Sequence, residues 1–152
     1  MPSLPMEAAV YTSASIGRLG IIAPRIESGE DENLPSDSNW VRKLIHQYGV
    51  THNFAGVRFA PAPHPSSDET ERLLKDDLKK LCKIVRDGMS EALDKKGINE
   101  AKLACDEDDA KVLFFACTIW SGLLDKVQNS VSAKILDPVY NTVNYAEMLA
   151  KI

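Results

Sequence analysis

Apolar residues along this chain occur in two rhythms, short unbroken runs and stripes at helical spacing, and the two alternate. From Met6 to Ile16 the residues are helix-compatible, and Gly17 is the expected stop. Arg18–Pro24 is a short apolar run whose Ile21-Ile22 pair predicts a buried strand ended by its proline. Residues 27–37 hold Glu27, Glu30, Asp31, Glu32 and Asp37 with no basic residue, plus Gly29 and Pro35, which predicts a solvated loop. Ser36 or Ser38 then caps a helix carrying Trp40, Val41, Leu44, Ile45 and Tyr48 on one face, closed by Gly49. Phe54–Phe59 predicts a second strand, and Pro61, Pro63 and Pro65 predict a loop after it.

A long helix is expected from Ser67, with the stripe Leu74, Leu78, Leu81, Val85, Met89 and Ala92 stepping by three or four. Its polar face pairs Glu71 with Lys75, Asp76 with Lys80 and Glu91 with Lys95, as a solvated outer face does. Gly97 should break it, and Asn99 should cap a short helix running to Asp108. Val112–Ala116 predicts a central strand covered on both faces. A helix over Ser121–Ser130, a fourth strand over Ala133–Asp137 and a closing helix over Tyr140–Lys151 complete the chain. Strands alternating with helices imply a parallel sheet, so the expected fold is α/β, a three-layer sandwich with a four-stranded parallel sheet.

Composition narrows the function classes. The 152 residues suit one domain, 1–152, and the 44% hydrophobic and 26% charged fractions exclude a disordered, collagen-like or coiled-coil chain. Eighteen basic against 22 acidic residues give −4, so no general attraction to nucleic acid or anionic membrane is expected. The longest apolar run, Val112–Cys117, is far below the roughly 20 residues a membrane span needs. The start, MPSLPMEAAVYTSAS, has no basic residue and no apolar segment of a secretory signal. Three cysteines, an odd count without a CxxC pair, argue against disulfides and zinc, so a cytoplasmic location is expected.

Ligands of open parallel sheets bind outside the carboxyl ends of the strands. Four segments are expected there: Ala23-Pro24-Arg25, Ala60-Pro61-Ala62, Cys117-Thr118-Ile119 and Pro138-Val139-Tyr140. One contains a nucleophile. Cys117 ends the central strand and precedes a helix, where amide donors and the dipole favour a thiolate. Thr118 offers a hydroxyl, and the amides after it suit a carboxylate. The plainer alternative, a buried cysteine serving as a small hydrophobe, stays open. Cys82 and Cys105 read as core cysteines, so Cys117 is expected to be the most reactive thiol. No GxGxxG, P-loop or GxSxG is present, and His46, His52 and His64 read as surface or loop residues.

Glu7-Ala8-Ala9-Val10-Tyr11 with Gly17-Arg18-Leu19-Gly20-Ile21-Ile22 resembles the middle of hydantoin racemases, in the aspartate/glutamate/hydantoin racemase superfamily. Val41-Arg42, Tyr48-Gly49-Val50 and Ala55-Gly56-Val57-Arg58 resemble the same proteins' helix, "YGL" turn and "VR" strand. AKLACDEDDAKVLFFAC, ending at Cys117, resembles their acidic turn, strand and second catalytic cysteine. Ile135-Leu136-Asp137-Pro138-Val139 and Tyr145-Ala146-Glu147 resemble their last strand and closing helix. The family's glycines around the cysteine are Ala116 and Ile119 here, and Cys117-Thr118 is closer to the aspartate/glutamate branch.

The resemblance implies the C-terminal half of a pseudo-symmetric fold. It implies a racemase or isomerase without a cofactor, acting on a small amino-acid-derived carboxylate or hydantoin. Cys117 would be one acid/base, and Thr118 with Ala23, Pro24 and Arg25 would bind substrate. Such chemistry needs a second acid/base on the opposite face. It would come from a homodimer or a complementary half-domain chain, because Cys82 and Cys105 lie on helix bodies. The alternative is a truncated or vestigial domain that binds a small molecule or partner without turnover.

Overall fold

In this computed structural model, residues 4–27, 43, 45–63 and 65–152 are described. Four strands, β1 (Leu19–Glu27), β2 (Phe54–Pro63), β3 (Val112–Phe115) and β4 (Lys134–Leu136), form one sheet in the order β2-β1-β3-β4. Every neighbouring pair is parallel. The α-helices whose bounds lie within the described residues are α1 (Leu4–Ile16), α2 (Ser67–Asp76), α3 (Leu78–Ala92), α4 (Ile98–Asp106), α5 (Asp125–Gln128) and α6 (Pro138–Leu149).

Period-two alternation sorts the strand residues onto two cores. Ile22, Ala60, Leu113, Phe115 and Ile135 pack with Met89, Leu93, Ala101, Ala104 and Val127 beneath α3, α4 and α5. Leu19, Ile21, Val112, Phe114 and Leu136 pack on the other face with Met6, Ala9 and Ile45. All four residues of β3 are buried, as a strand covered on both sides requires. The α/β three-layer architecture and its four-stranded parallel sheet are therefore present.

Several local expectations change. Both β1 and β2 run past their prolines, with Pro24 opposite Ala60, Arg25 opposite Pro61 and Glu27 opposite Pro63. Proline lacks a donor, so it is tolerated where the ladder needs none. β2 is an edge strand in the sheet, and Pro61 and Pro63 lie near its end. Pro24 lies beyond Ile22, the last β1 residue paired with β3. Beyond that point β1 and β2 project as a two-stranded ribbon.

The helix expected from Ser67 is two helices. Asp77 leaves helical geometry (φ −153°, ψ 78°) and caps α3 by accepting the Lys80 N–H at 3.0 Å. The break resets the helical phase: Leu73 and Leu81 are buried, whereas Leu74 and Leu78 are 60% and 56% exposed. It also carries Cys82 to the surface, correcting its assignment to the core. Cys105 is half-buried against the α3–α4 core. Glu71–Lys75 and Glu91–Lys95 pair as expected, and Asp76 and Lys80 fall on different helices.

Gly97 does not break the chain's helical course. Leu93–Gly97 forms a π-helical turn that leads directly into α4. A Cβ at Gly97 would lie 2.8 Å from Leu93 Cδ1, so the missing side chain permits close packing. The helix expected over Ser121–Ser130 is only the four residues of α5. Gly17 (φ 148°) follows the end of α1 as expected, and Gly49 (φ 68°) follows the helical residues 45–47. The acidic stretch 28–37, the caps at Ser36 and Ser38, and Trp40, Val41 and Leu44 lie outside the described residues.

Candidate functional site

The order β2-β1-β3-β4 means that connections leave the sheet in opposite directions at the junction of β1 and β3. Open parallel sheets bind ligands at such a divergence. Ile22 pairs with Phe115 at this junction, and the Ala116 N–H donates to the Ile22 carbonyl at 2.8 Å. Cys117 is the next residue.

Cys117 is extended (φ −148°, ψ 122°) and opens a 3-10 turn over Thr118–Trp120. Its N–H turns back to the Phe115 carbonyl at 2.9 Å, which ends the strand. The thiol is half-buried, with the backbone of Ile119 and Trp120 following it in the turn. Burial pushes the thiol up from its ordinary value, and the two amides oppose that shift without overcoming it. The expectation of a thiolate favoured by a helix is thus corrected. A three-residue turn sums too few peptide dipoles to outweigh desolvation.

Two anchors hold this turn. Trp120 is fully buried, donates its indole N–H to the Met89 carbonyl at 2.9 Å, and meets Phe115 edge-on with centroids 5.5 Å apart. On the other side, Asp137 accepts from Ser121 Oγ at 2.8 Å and from the Gly122 N–H at 2.9 Å. The same carboxylate caps α6, taking the Val139 and Tyr140 N–H groups at 2.9 and 3.1 Å. Gly122 is left-handed (φ +74°), a conformation glycine adopts without strain.

The other sequence-derived positions gather less closely. Ala23 is 2% exposed, so its side chain offers a ligand little surface. Pro24 is half-buried, one residue further along β1, and the Arg25 side chain lies outside the described residues. Thr118 is exposed beside Cys117. Ala23–Arg25 and Ala60–Ala62 sit inside the projecting ribbon, not at strand ends, because the ladder continues through them. Sequence reasoning passed over Asp137 and Trp120. The Asp137-Pro138 pair was a legible signal, since aspartate at a cap followed by proline marks a helix start.

His46 and His52 are exposed, and His64 lies outside the described residues. Among the described residues, no group of three or more His, Cys, Asp or Glu is placed to hold a metal ion. No described helix is long and apolar enough to cross a membrane.

No family model matches the chain, and no curated protein matches its sequence. Solved structures do share its fold. The allantoin racemase of Pseudomonas fluorescens superposes with a TM-score of 0.62 at 21% identity, over 97% of this chain and 51% of that one. The allantoin racemase of Klebsiella pneumoniae gives 0.55 at 20% identity, over 97% of this chain and 49% of that one. This chain therefore spans about half the length of proteins whose racemase fold it shares.

Proposed function

We propose that this chain is a racemase-type half-domain, corresponding to a C-terminal half, that moves a proton at the α-carbon of a small amino-acid-derived carboxylate or hydantoin. The observation that carries the reading is the position of Cys117, at the β1–β3 divergence of a sheet shared with two allantoin racemases.

Inverting a stereocentre beside a carbonyl needs a base on one face and an acid on the other. Burial keeps the Cys117 thiol protonated at neutral pH, so in the resting protein it is the acid that returns a proton. Abstraction from the opposite face belongs to a group outside these residues, on a second copy of the chain or a complementary half-domain chain. Exposed Val139, Tyr140 and Val143 on α6 provide apolar surface for such a partner. Thr118 Oγ1 and nearby amides would hold the substrate carboxylate and the developing enolate. Proton transfer between thiols requires no cofactor, and the three free cysteines suit the reducing cytoplasm.

Incubation with L- and D-hydantoins, allantoin among them, and with aspartate and glutamate in heavy water tests the proposal. Proton NMR should show loss of the α-proton signal, and Cys117→Ser should slow it on the order of a hundredfold or more. Equal exchange by wild type and Cys117→Ser, or none by either, overturns it.

A further inference from the structure

Charge changes sign where α2 meets α3. From Ser67 to Asp77 the chain carries Asp68, Glu69, Glu71, Asp76 and Asp77 against Arg72 and Lys75, a net −3. From Leu78 to Arg86 it carries Lys79, Lys80, Lys83 and Arg86 and no acid, a net +4. All of these side chains except Glu69 are exposed. Helix dipoles do not account for the pattern: an N-terminus favours acids, and α3 has none in its first turn. Ion pairing within the chain does not account for it either. Among the described residues, Lys79, Lys80, Lys83 and Arg86 pair with no carboxylate, and on α2 the paired charges are Glu71 and Lys75.

Two apolar side chains mark the point where the sign changes. Leu74 and Leu78, on either side of the Asp77 break, are 60% and 56% exposed, while Leu73 and Leu81 are buried. Single exposed leucines are ordinary on a protein surface. Here they lie between an acidic and a basic stretch whose charges lack partners. Turned by half a revolution, such a face matches itself, which is what an interface between identical subunits requires.

We propose that the α2–α3 face is an interface between two copies of this chain. The two-fold axis passes near Leu78, so that α2 of each copy lies along the first turns of α3 of the other. Leu74 and Leu78 of both copies form the apolar centre. Lys79, Lys80, Lys83 and Arg86 gain the carboxylates that they lack within the chain. An acidic partner of another kind would answer only the basic stretch and leave the α2 carboxylates against like charge. The interface stands whether or not Cys117 moves a proton.

Two charge-reversed chains test it. Lys79→Glu with Lys83→Glu and Arg86→Glu makes both stretches acidic. Glu71→Lys with Asp76→Lys makes both basic. All five sites are exposed, and circular dichroism checks that each variant is folded. In sedimentation equilibrium up to about 1 mM chain, the weak end of specific association, wild type should form a dimer. Raising the salt to about 0.5 M should weaken that dimer on the order of tenfold. Each variant alone should stay monomeric, because like charges then face each other twice. Their equimolar mixture should form a one-to-one heterodimer. Leu78→Ser needs no charge reversal and should weaken the wild-type dimer on the order of tenfold.

A wild type that stays monomeric overturns the inference, whether or not the basic stretch then binds an acidic polymer. Variants that dimerise as well as wild type overturn it too, since the contact would then lie on another face. So does a mixture that stays monomeric, or an association unchanged by Leu78→Ser. Because no turnover is measured, a dimer of this kind without α-proton exchange supports the interface and sinks only the racemase reading.

Discussion

Arg58 grips Asp108 through two parallel contacts, Nε to Oδ2 at 2.7 Å and Nη2 to Oδ1 at 3.1 Å. The same guanidinium reaches Glu107 at 2.7 Å and Glu100 at 3.6 Å, tying β2 to α4 and the turn after it. The hydrogen bonds that Arg58 donates to Asp108 raise its pKa further, against the opposing cost of burial, with Glu107 adding to the rise. The fork matters as much as the charge, because a lysine presents one point and not a planar pair of donors.

Arg58→Met should therefore destabilise the protein by about 2 kcal/mol, since three carboxylates would be left without their shared cation. Arg58→Lys should recover only part of that loss. Urea denaturation followed by circular dichroism measures both. A methionine variant as stable as wild type would show that the cluster contributes no net stability.

The thiols should separate by exposure. Cys82 is open to reagent on α3 and Cys117 is half-buried, so iodoacetamide should label Cys82 first under native conditions. Peptide mass analysis at short times decides the order. Faster labelling of Cys117 would mean that its surroundings activate it more than burial protects it.

Stability should also fall at alkaline pH in a way that depends on Cys117. Its folded pKa lies above the unfolded one, because burial penalises the thiolate. The folded state then keeps the proton that the unfolded state loses. That contribution is complete below the ordinary thiol value of about 8.5 and disappears as pH rises through the folded value. Cys117→Ala should flatten the decline in melting temperature there. The raised Tyr48 adds a separate decline nearer its own higher range, common to both proteins. Parallel slopes for the two proteins would contradict the assignment.

Gly97→Ala should destabilise. At an exposed helical site the change would stabilise by up to about 1 kcal/mol. Here the new methyl would lie 2.8 Å from Leu93 Cδ1, and Leu93 is fully buried with little room to move. A loss of about 1–2 kcal/mol is expected from overpacking, read from the shift of the denaturation midpoint. A gain in stability would indicate that the π-turn relaxes into a regular helix.

Most of the architecture was already present in the order of residues. Ile21-Ile22, Phe54–Phe59, Val112–Phe115 and Ile135-Leu136 are short apolar runs bounded by polar or turn residues, and each became a strand. The alternation of strands with helices then implied a parallel sheet covered on both faces, because parallel neighbours need crossovers. The position of Cys117 was legible too, just past the most apolar run, and it lies two residues beyond β3 at the start of a 3-10 turn.

What the sequence determined by itself was local: which segments are apolar, their periods, and that Cys117 follows the most apolar of them. Tertiary packing decided the rest. Whether a proline ends a strand depends on its place in the sheet, and Pro24 lies past the last β1 residue paired with β3 while Pro61 and Pro63 lie on the edge strand. Whether a leucine stripe is continuous depends on one backbone residue, and Asp77 breaks it by taking the Lys80 amide for a cap. Whether Gly97 is a stop or a close contact depends on what lies beside it, and Leu93 does. The protonation of Cys117 is likewise set by burial against two amides, a balance of three-dimensional surroundings that no spacing along the chain encodes.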